Sequence, residues 1–406
     1  MKKRLISLVA AAALVGGMAT VAPSVASAGT VTVKGDTQVQ LYGRLKFLGA
    51  WGAKFNPLGE NTAYKAQGDG AAAKKQNKTN FKGFKMSGAG TALGLNFSNK
   101  DANLTGKIEL GMGGRAANNS QTANLRHAYI QHNLDNGLYV LIGQTNNTFE
   151  VHTFNALPEA MAGFDQPARS PQIAVGGKFD IADSANIDFK AALLEQDYME
   201  DNNTVQKNRR AFPTVGLNVG VNFETGFGAP ARVYGNYLVE NRKFSYNNDN
   251  ETSKTGYAFG IGAVVPISMV TVQGEYIHAK GLVGLAGVNR HTAGNLKDPV
   301  SYWIDNNNNM KTVKFDAWNL EAKVAPMPST SFAAGYGYLK FKNMAETTDN
   351  IKKNKTFFIN AAVKTTKYTT LTLEYDHVKT TAYKDNNGNT ADYKGNGYFL
   401  SYSYAF

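Results

Sequence analysis

The sequence predicts an all-β chain folded as a transmembrane antiparallel β-barrel of 16 strands. Three observations predict it: apolar residues recur with period two over long segments, the segments are even in number, and short turns alternate with long polar loops between them. Residues 37–55 set the pattern. Val39, Leu41, Leu45, Phe47, Trp51 and Phe55 fall on one parity, and Gln38, Gln40, Tyr42, Arg44, Lys46 and Lys54 on the other. At roughly 3.3 Å per residue such a strand is too long for an ordinary soluble sandwich. It suits a tilted barrel strand that continues above a bilayer, with its polar parity facing water in a lumen.

The same alternation recurs along the chain. Leu104, Ile108, Leu110 and Met112 alternate with Thr105, Lys107 and Glu109; Ile187, Phe189 and Leu193 with Asp188 and Lys190. Val215 to Phe223, Tyr257 to Val265, Phe332 to Tyr338 and Phe357 to Val363 repeat it, and helical spacing fits none of them. Divided at its turn signals, the chain places strands at 37–55, 81–97, 103–113, 123–134, 137–144, 171–182, 185–198, 211–223, 231–245, 254–266, 269–281, 311–324, 329–342, 353–365, 369–384 and 394–406. An even count is what a closed single-chain barrel with both termini on one side requires; a hairpin hidden in a long loop would raise it to 18. The second strand is the weakest of these, because Gly83, Gly88, Gly90 and Gly94 dilute its alternation and mark a bend or a close approach.

Asp135-Asn136-Gly137, Pro266-Ile267-Ser268 and Pro326-Met327-Pro328 are short turns, whereas 56–80, 145–170, 199–210 and 282–310 are long polar loops. One rim of turns and one of loops is the asymmetry of outer-membrane barrels, and a soluble sandwich does not account for it. The last strand carries Tyr398, Leu400, Tyr402, Tyr404 and Phe406 on one face, as suits a membrane interface.

The N-terminus reads Met1-Lys2-Lys3-Arg4, then an apolar run from Leu5 to Val21, then Ser24-Val25-Ala26-Ser27-Ala28, which is the pattern of a secretory signal peptide. Residues 1–28 are therefore expected to be removed after Ala28, leaving 29–406 as the barrel domain. Loss of Lys2, Lys3 and Arg4 takes the net charge from +12 to +9, since the leader holds no Asp or Glu. The basic residues are scattered rather than clustered, so nucleic acid is not an expected partner. The absence of cysteine excludes disulfide scaffolds, thiolate metal sites and cysteine nucleophiles. Beyond the leader no segment approaches the ~20 consecutive apolar residues of a membrane helix.

An outer-membrane enzyme would need a nucleophile with a general base. His127, His132, His152, His278, His291 and His377 sit in no nucleophile or zinc motif, and the spacing of His127 and His132 fits neither a helical ligand pair nor one strand face. Gly111-Met112-Gly113-Gly114 ends a strand without opening a helix, so it is no phosphate loop. No catalytic residue, metal ligand or cofactor is predicted.

Val39-Gln40-Leu41-Tyr42-Gly43-Arg44, Asn103-Leu104-Thr105-Gly106 with Glu109, Leu125-Arg126-His127-Ala128-Tyr129 and the terminal Tyr404-Ala405-Phe406 resemble the general porins of Gram-negative bacteria. That resemblance implies a homotrimer of 16-stranded barrels, each with its third extracellular loop folded into the lumen. It implies an outer-membrane location reached through the periplasm, contact with outer-membrane lipid and lipopolysaccharide, and handling by the barrel assembly machinery through Phe406. The stretch from Gly143-Gln144 through Leu157-Pro158-Glu159 to Gly163-Phe164-Asp165 resembles the loop that narrows these channels, which makes Glu159 and Asp165 the candidates for its acidic side. The basic side chains that the family sets opposite map onto Arg44 and Arg126, and onto Lys82, with Lys85 as the alternative alignment. Lys46 shares Arg44's parity and joins that wall. Arg126-His127-Ala128-Tyr129 with Gly143-Gln144-Thr145 also resembles a related group of trimeric porins for dicarboxylates and other small acids.

The function implied is passive diffusion of ions and small hydrophilic solutes, weakly anion-selective. The alternatives are a substrate-specific channel for small organic acids and an outer-membrane enzyme. Trimer contact is expected on the outward apolar face of the early strands, at Leu45, Phe47 and Trp51.

Overall fold

The computed structural model describes residues 30–34, 36–53, 82–115, 121–154, 169–195, 207–210, 212–246, 250–286, 301–305, 307, 309–344, 351–382 and 392–406. The expected leader, residues 1–28, lies outside them. In chain order the strands are β1 (Thr30–Lys34), β2 (Thr37–Ala53), β3 (Lys82–Ser87), β4 (Ala92–Asn99), β5 (Leu104–Arg115), β6 (Gln121–Asn133), β7 (Leu138–Asn146), β8 (Arg169–Ala182), β9 (Ala185–Leu194), β10 (Lys207–Arg210) and β11 (Thr214–Glu224). They continue with β12 (Pro230–Tyr246), β13 (Asn250–Ile267), β14 (Val270–Lys280), β15 (Tyr302–Ile304), β16 (Met310–Thr312), β17 (Lys314–Met327), β18 (Thr330–Lys342), β19 (Ile351–Lys364), β20 (Thr369–Ala382) and β21 (Asp392–Ala405). Among the described residues no helix is long and apolar enough to cross a membrane.

The strands close into one antiparallel barrel of 16 staves. The hydrogen-bonded ring passes from β2 through β4, β5, β6, β7, β8, β9, β11, β12, β13 and β14 to β17, β18, β19, β20 and β21, and β21 pairs back onto β2. Each stave coincides with one expected segment, and two are interrupted. β3 and β4 are one stave broken at 88–91, where Gly90 takes φ +87° and the Thr91 hydroxyl accepts a hydrogen bond from the Lys46 amide at 3.0 Å. The glycines that weaken the pattern there mark this bend. β10 and β11 likewise share β12. The loop at 282–310 does hold a hairpin, β15 with β16, but it forms a separate two-stranded sheet, so the barrel stays at 16 staves.

Closure is made at the chain ends. Gly43 and Phe406 exchange both backbone hydrogen bonds at 3.0 Å, and a Cβ at Gly43 would lie 2.5 Å from the Phe406 ring. Only a glycine lets the terminal ring lie flat over β2 at this point. β1 takes the edge of β2 just beyond, with Thr30 opposite Gln40, and was not expected from the sequence.

Alternation along each stave sorts the residues into two environments, apolar outside and polar inside, the reverse of a soluble domain. Leu45, Phe47, Ile108, Ile142, Ile173, Leu320, Ile359 and Leu373 are among many large apolar side chains left exposed. A continuous apolar exterior far exceeds the few hundred Å² that soluble monomers tolerate. Lipid or another subunit must cover it, since each Å² returned to water costs about 25 cal/mol. Glu109, Gln131, Asn218, Asn236, Gln273, Glu321, Asn360 and Glu374 are buried on the inner face.

Candidate functional site

After β7 the chain turns inward. The Asn147 side-chain oxygen accepts the Phe149 amide at 2.8 Å, and residues 147–154 then run against inward-facing side chains of the far wall. Phe149 and Val151 join a buried cluster with Leu141, Leu194, Leu238 and Ile277, while Phe154 packs on Ala333 and Phe358.

A line of polar groups on the wall satisfies the backbone of this segment, as a buried peptide requires. The Asn236 amide group accepts from Glu150 N at 3.0 Å and donates to Glu150 O at 2.7 Å, so it matches both faces of one residue. Asn319 donates to His152 O at 3.4 Å, and Asn360 donates to Phe154 O at 2.9 Å. Glu321 accepts from the Phe154 amide and from the Thr153 hydroxyl at 3.1 Å, and is held in place by Gln273 at 2.9 Å. β12, β17 and β19 thus act on this segment as a side-chain substitute for a pairing strand.

Glu150 is the charged centre of the contact. Arg232 donates to it from Nε at 3.0 Å and from Nη2 at 2.8 Å, in a bidentate fork, and also reaches Asp188 at 2.5 Å. Asn218 donates to Glu150 at 3.1 Å, and a His152 ring nitrogen lies 2.6 Å from it. Burial by itself would raise the Glu150 carboxyl, but the hydrogen bonds and charges of His152 and Arg232 outweigh it and bring it down to about 2.

A second group fills the loop-side end of the same half. The loop between β14 and β17 leaves a short turn, Val283–Ala286, and the β15–β16 hairpin. Leu282, Val283, Tyr302 and Val313 of that loop bury themselves on inward-facing Phe244, Ile277, Phe315 and Phe341. Asp305 closes the hairpin by accepting the Asn307 and Asn309 amides at 2.9 and 2.8 Å, and these bonds hold its carboxyl below the usual carboxylate range. Trp303 donates its ring N–H to Asn343 O at 2.7 Å.

The expected basic residues lie in the other half, between β2 and β9. Arg44 and Lys46 are on the inner face of β2, and Arg44 Nε donates to Gly90 O at 3.0 Å. Arg126 is on the inner face of β6 and pairs with Glu109 at 2.6 Å, where Lys107 at 3.4 Å and the Tyr42 hydroxyl at 2.6 Å converge as well. Arg126 and Lys107 thus share one carboxylate. Lys82 stands opposite Ala53 and Lys85 opposite Ala50 in the register of β3 with β2, and their side chains lie outside the described residues. Glu159 and Asp165 also lie outside them.

Sequence reasoning missed Glu150, Arg232, Asn236, Asn319, Glu321 and Asn360. Their inward parity was readable, but what each meets depends on which staves face one another. Among the described residues no group of histidines and carboxylates is arranged to hold a metal ion.

The fold has clear relatives among solved structures. The outer membrane channel DcaP of Acinetobacter baumannii superimposes with a TM-score of 0.71 at 18% identity, covering 93% of this chain and 99% of that one. The anion-selective porin from Comamonas acidovorans gives 0.56 at 11% identity over 91% and 100%, and the trimer form of OmpT, an outer membrane protein of Vibrio cholerae, 0.52 at 13% over 92% and 100%. No family model and no curated protein sequence matches the chain.

Proposed function

We propose that the chain is an outer-membrane diffusion pore for ions and small hydrophilic solutes, and not an enzyme. One observation carries this reading: a closed barrel with an apolar exterior and a polar interior holds residues 147–154 against one inner wall, while the opposite half is lined by Arg44, Lys46 and Arg126. Such a lumen sets solute passage by width and field, with no bond to make or break.

In this reading the third extracellular loop, residues 145–170, narrows the lumen. Glu159 and Asp165 continue the acidic side begun at Glu150, and Arg44, Lys46 and Arg126 form the basic side; the expected Lys82 has the parity of exposed Phe84 and Met86 and is not assigned to that wall. The transverse field favours charged and polar solutes, with weak anion preference from the net charge of the mature chain. Residues 1–28 direct export through the periplasm. Phe406 presents the last strand to the assembly machinery, and the apolar face at Leu45, Phe47 and Trp51 meets neighbouring subunits in a trimer. Trimerisation draws support from the trimer form among the similar structures.

Planar-bilayer recording of the refolded mature chain in concentrated KCl tests the proposal. Stepwise openings in groups of three support it, and a folded barrel without conductance overturns it. A second reading, a channel specific for small organic acids, is favoured by the lumen half filled at Tyr302 and Phe149. It predicts conductance that saturates with a dicarboxylate and is blocked by it, where a general pore gives neither.

A further inference from the structure

Glycines on the inner face let a ring cross one stave and meet a charge on the next. Tyr42 of β2 stands opposite Gly94 of β4, and Gly94 stands opposite Glu109 of β5. A Cβ at Gly94 would lie 2.3 Å from the Tyr42 hydroxyl. The ring lies flat where only glycine leaves room, and its hydroxyl donates to Glu109 Oε2 at 2.6 Å. The same step recurs around the ring of staves. Tyr139 crosses Gly176 towards Lys190, Tyr234 crosses Gly262 towards Glu275, and Phe358 crosses Gly335 towards Glu321. These rungs end on charges that are put to use: Lys190 donates to Asn146 O at 2.7 Å, and Glu321 accepts from the Phe154 amide.

The Glu109 rung ends beside Arg126. Glu109 is opposite His127 and Leu110 opposite Leu125, so Arg126 is an extra residue on β6 at a bulge. Bulges of this kind re-aim a side chain. Arg126 lies across Gly111, where a Cβ would meet its Cδ at 2.2 Å. A guanidinium beside a carboxylate commonly takes both oxygens with two of its nitrogens. Here Arg126 holds Oε1 through Nε alone, at 2.6 Å, while Oε2 is taken by Tyr42, with Lys107 3.4 Å away. Lys107 is itself placed over the Tyr42 ring, 4.7 Å from its centroid. The Arg126 side chain keeps 19% of its surface exposed, against 9% for Glu109, so the cation and not the carboxylate is the more open to the lumen. Among the described residues no hydrogen bond reaches the terminal nitrogens of Arg126.

We propose that Tyr42 is a positioning residue of the pore: by claiming one oxygen of Glu109 it keeps that carboxylate from forking onto Arg126, whose terminal nitrogens stay turned to the lumen for passing anions. This rests on the diffusion-pore reading above. It names what keeps the basic side from being neutralised by its own carboxylate.

The test pairs two readouts on the refolded mature chain. One is the chloride-to-potassium permeability ratio from reversal potentials in a KCl gradient. The other is labelling of Arg126 by glyoxal, which condenses with the terminal nitrogens of an open guanidinium, read by peptide mass spectrometry. Tyr42→Phe keeps the ring over Gly94 and removes only the hydroxyl. It lowers the permeability ratio at least about twofold and the labelling at least about threefold, as the freed Glu109 forks onto Arg126. In the Glu109→Gln background, where no carboxylate is left to fork, Tyr42→Phe lowers neither. A conducting chain in which Tyr42→Phe leaves either readout unchanged, or lowers both equally with and without Glu109, overturns this role and leaves the pore. A chain that does not conduct, yet loses Arg126 labelling in Tyr42→Phe and not in the Glu109→Gln background, overturns the pore and leaves the positioning of Arg126 by Tyr42.

Discussion

Glu150 is pinned three ways at once: its peptide by Asn236, its carboxylate by Arg232, and its flank by His152. Because its carboxyl is lowered to about 2 in the folded chain, against about 4.3 when unfolded, the anchoring it provides is complete above the unfolded value and is lost as pH falls through the folded one. If the chain conducts as proposed, its single-channel conductance should therefore change between roughly pH 4 and pH 2. Glu150→Gln, which keeps the shape but carries no titrating group, should lack that component; identical acid profiles for the two would remove Glu150 as the anchor.

In the proposed pore, Arg44 and Arg126 bear on ion preference. Each loss of a positive side chain from the inner wall should move the reversal potential in a KCl gradient towards cation selectivity. Arg126→Ala should do so the more, because it also leaves Lys107 as the one cation of that group beside the Glu109 carboxylate. Unchanged conductance and ion preference in both variants would refute their assignment to the basic side.

At the scale of elements, a strand-like segment is held by side chains rather than by a ladder. Asn236→Ala deletes the acceptor for Glu150 N and the donor to Glu150 O together, at a cost of about 1–3 kcal/mol for the buried groups left unmet. The barrel's backbone ladder is untouched and only the Asn218–Asn236 side-chain bond between β11 and β12 is lost with it, so the expected result is noisier and larger openings with nearly unchanged thermal unfolding. A drop in both would mean that the track supports the barrel itself.

The hairpin at the mouth makes a parallel case. Tyr302 is 1% exposed, and Tyr302→Ala should loosen its docking by about 3–5 kcal/mol, the range for a truncated buried aromatic, and so widen the loop-side entrance. The check is the size cut-off for neutral sugars, which should rise; an unaltered cut-off would place the limiting width elsewhere. The bend at 88–91 was legible from its glycines, whereas β1 and the β15–β16 hairpin were not. Their five- and three-residue lengths are too short to show a period.

For the whole molecule, closure concentrates on one contact between the first and last staves. Gly43→Val would drive a side chain into the Phe406 ring and disturb the exchanged hydrogen bonds between the two residues. It should lower the yield of the compact, heat-modifiable form on refolding, with Phe406→Leu partly restoring it. Full yield from Gly43→Val alone would show that closure does not depend on this packing.

The sequence by itself determined the staves, their direction and which side chains meet water or lipid, and left their number between 16 and 18 until the structure set the β15–β16 hairpin apart from the barrel. Side-chain alternation is a property of each strand alone, and every stave repeats it. Only the tertiary structure decided which inner residues work together. Asn236 meets Glu150 across 86 positions and Asn360 meets Phe154 across 206, because ring closure and the course of residues 147–154 along the inner wall bring distant positions within hydrogen-bond reach. No local period encodes that, for parity states which way a side chain points and not what lies across the lumen.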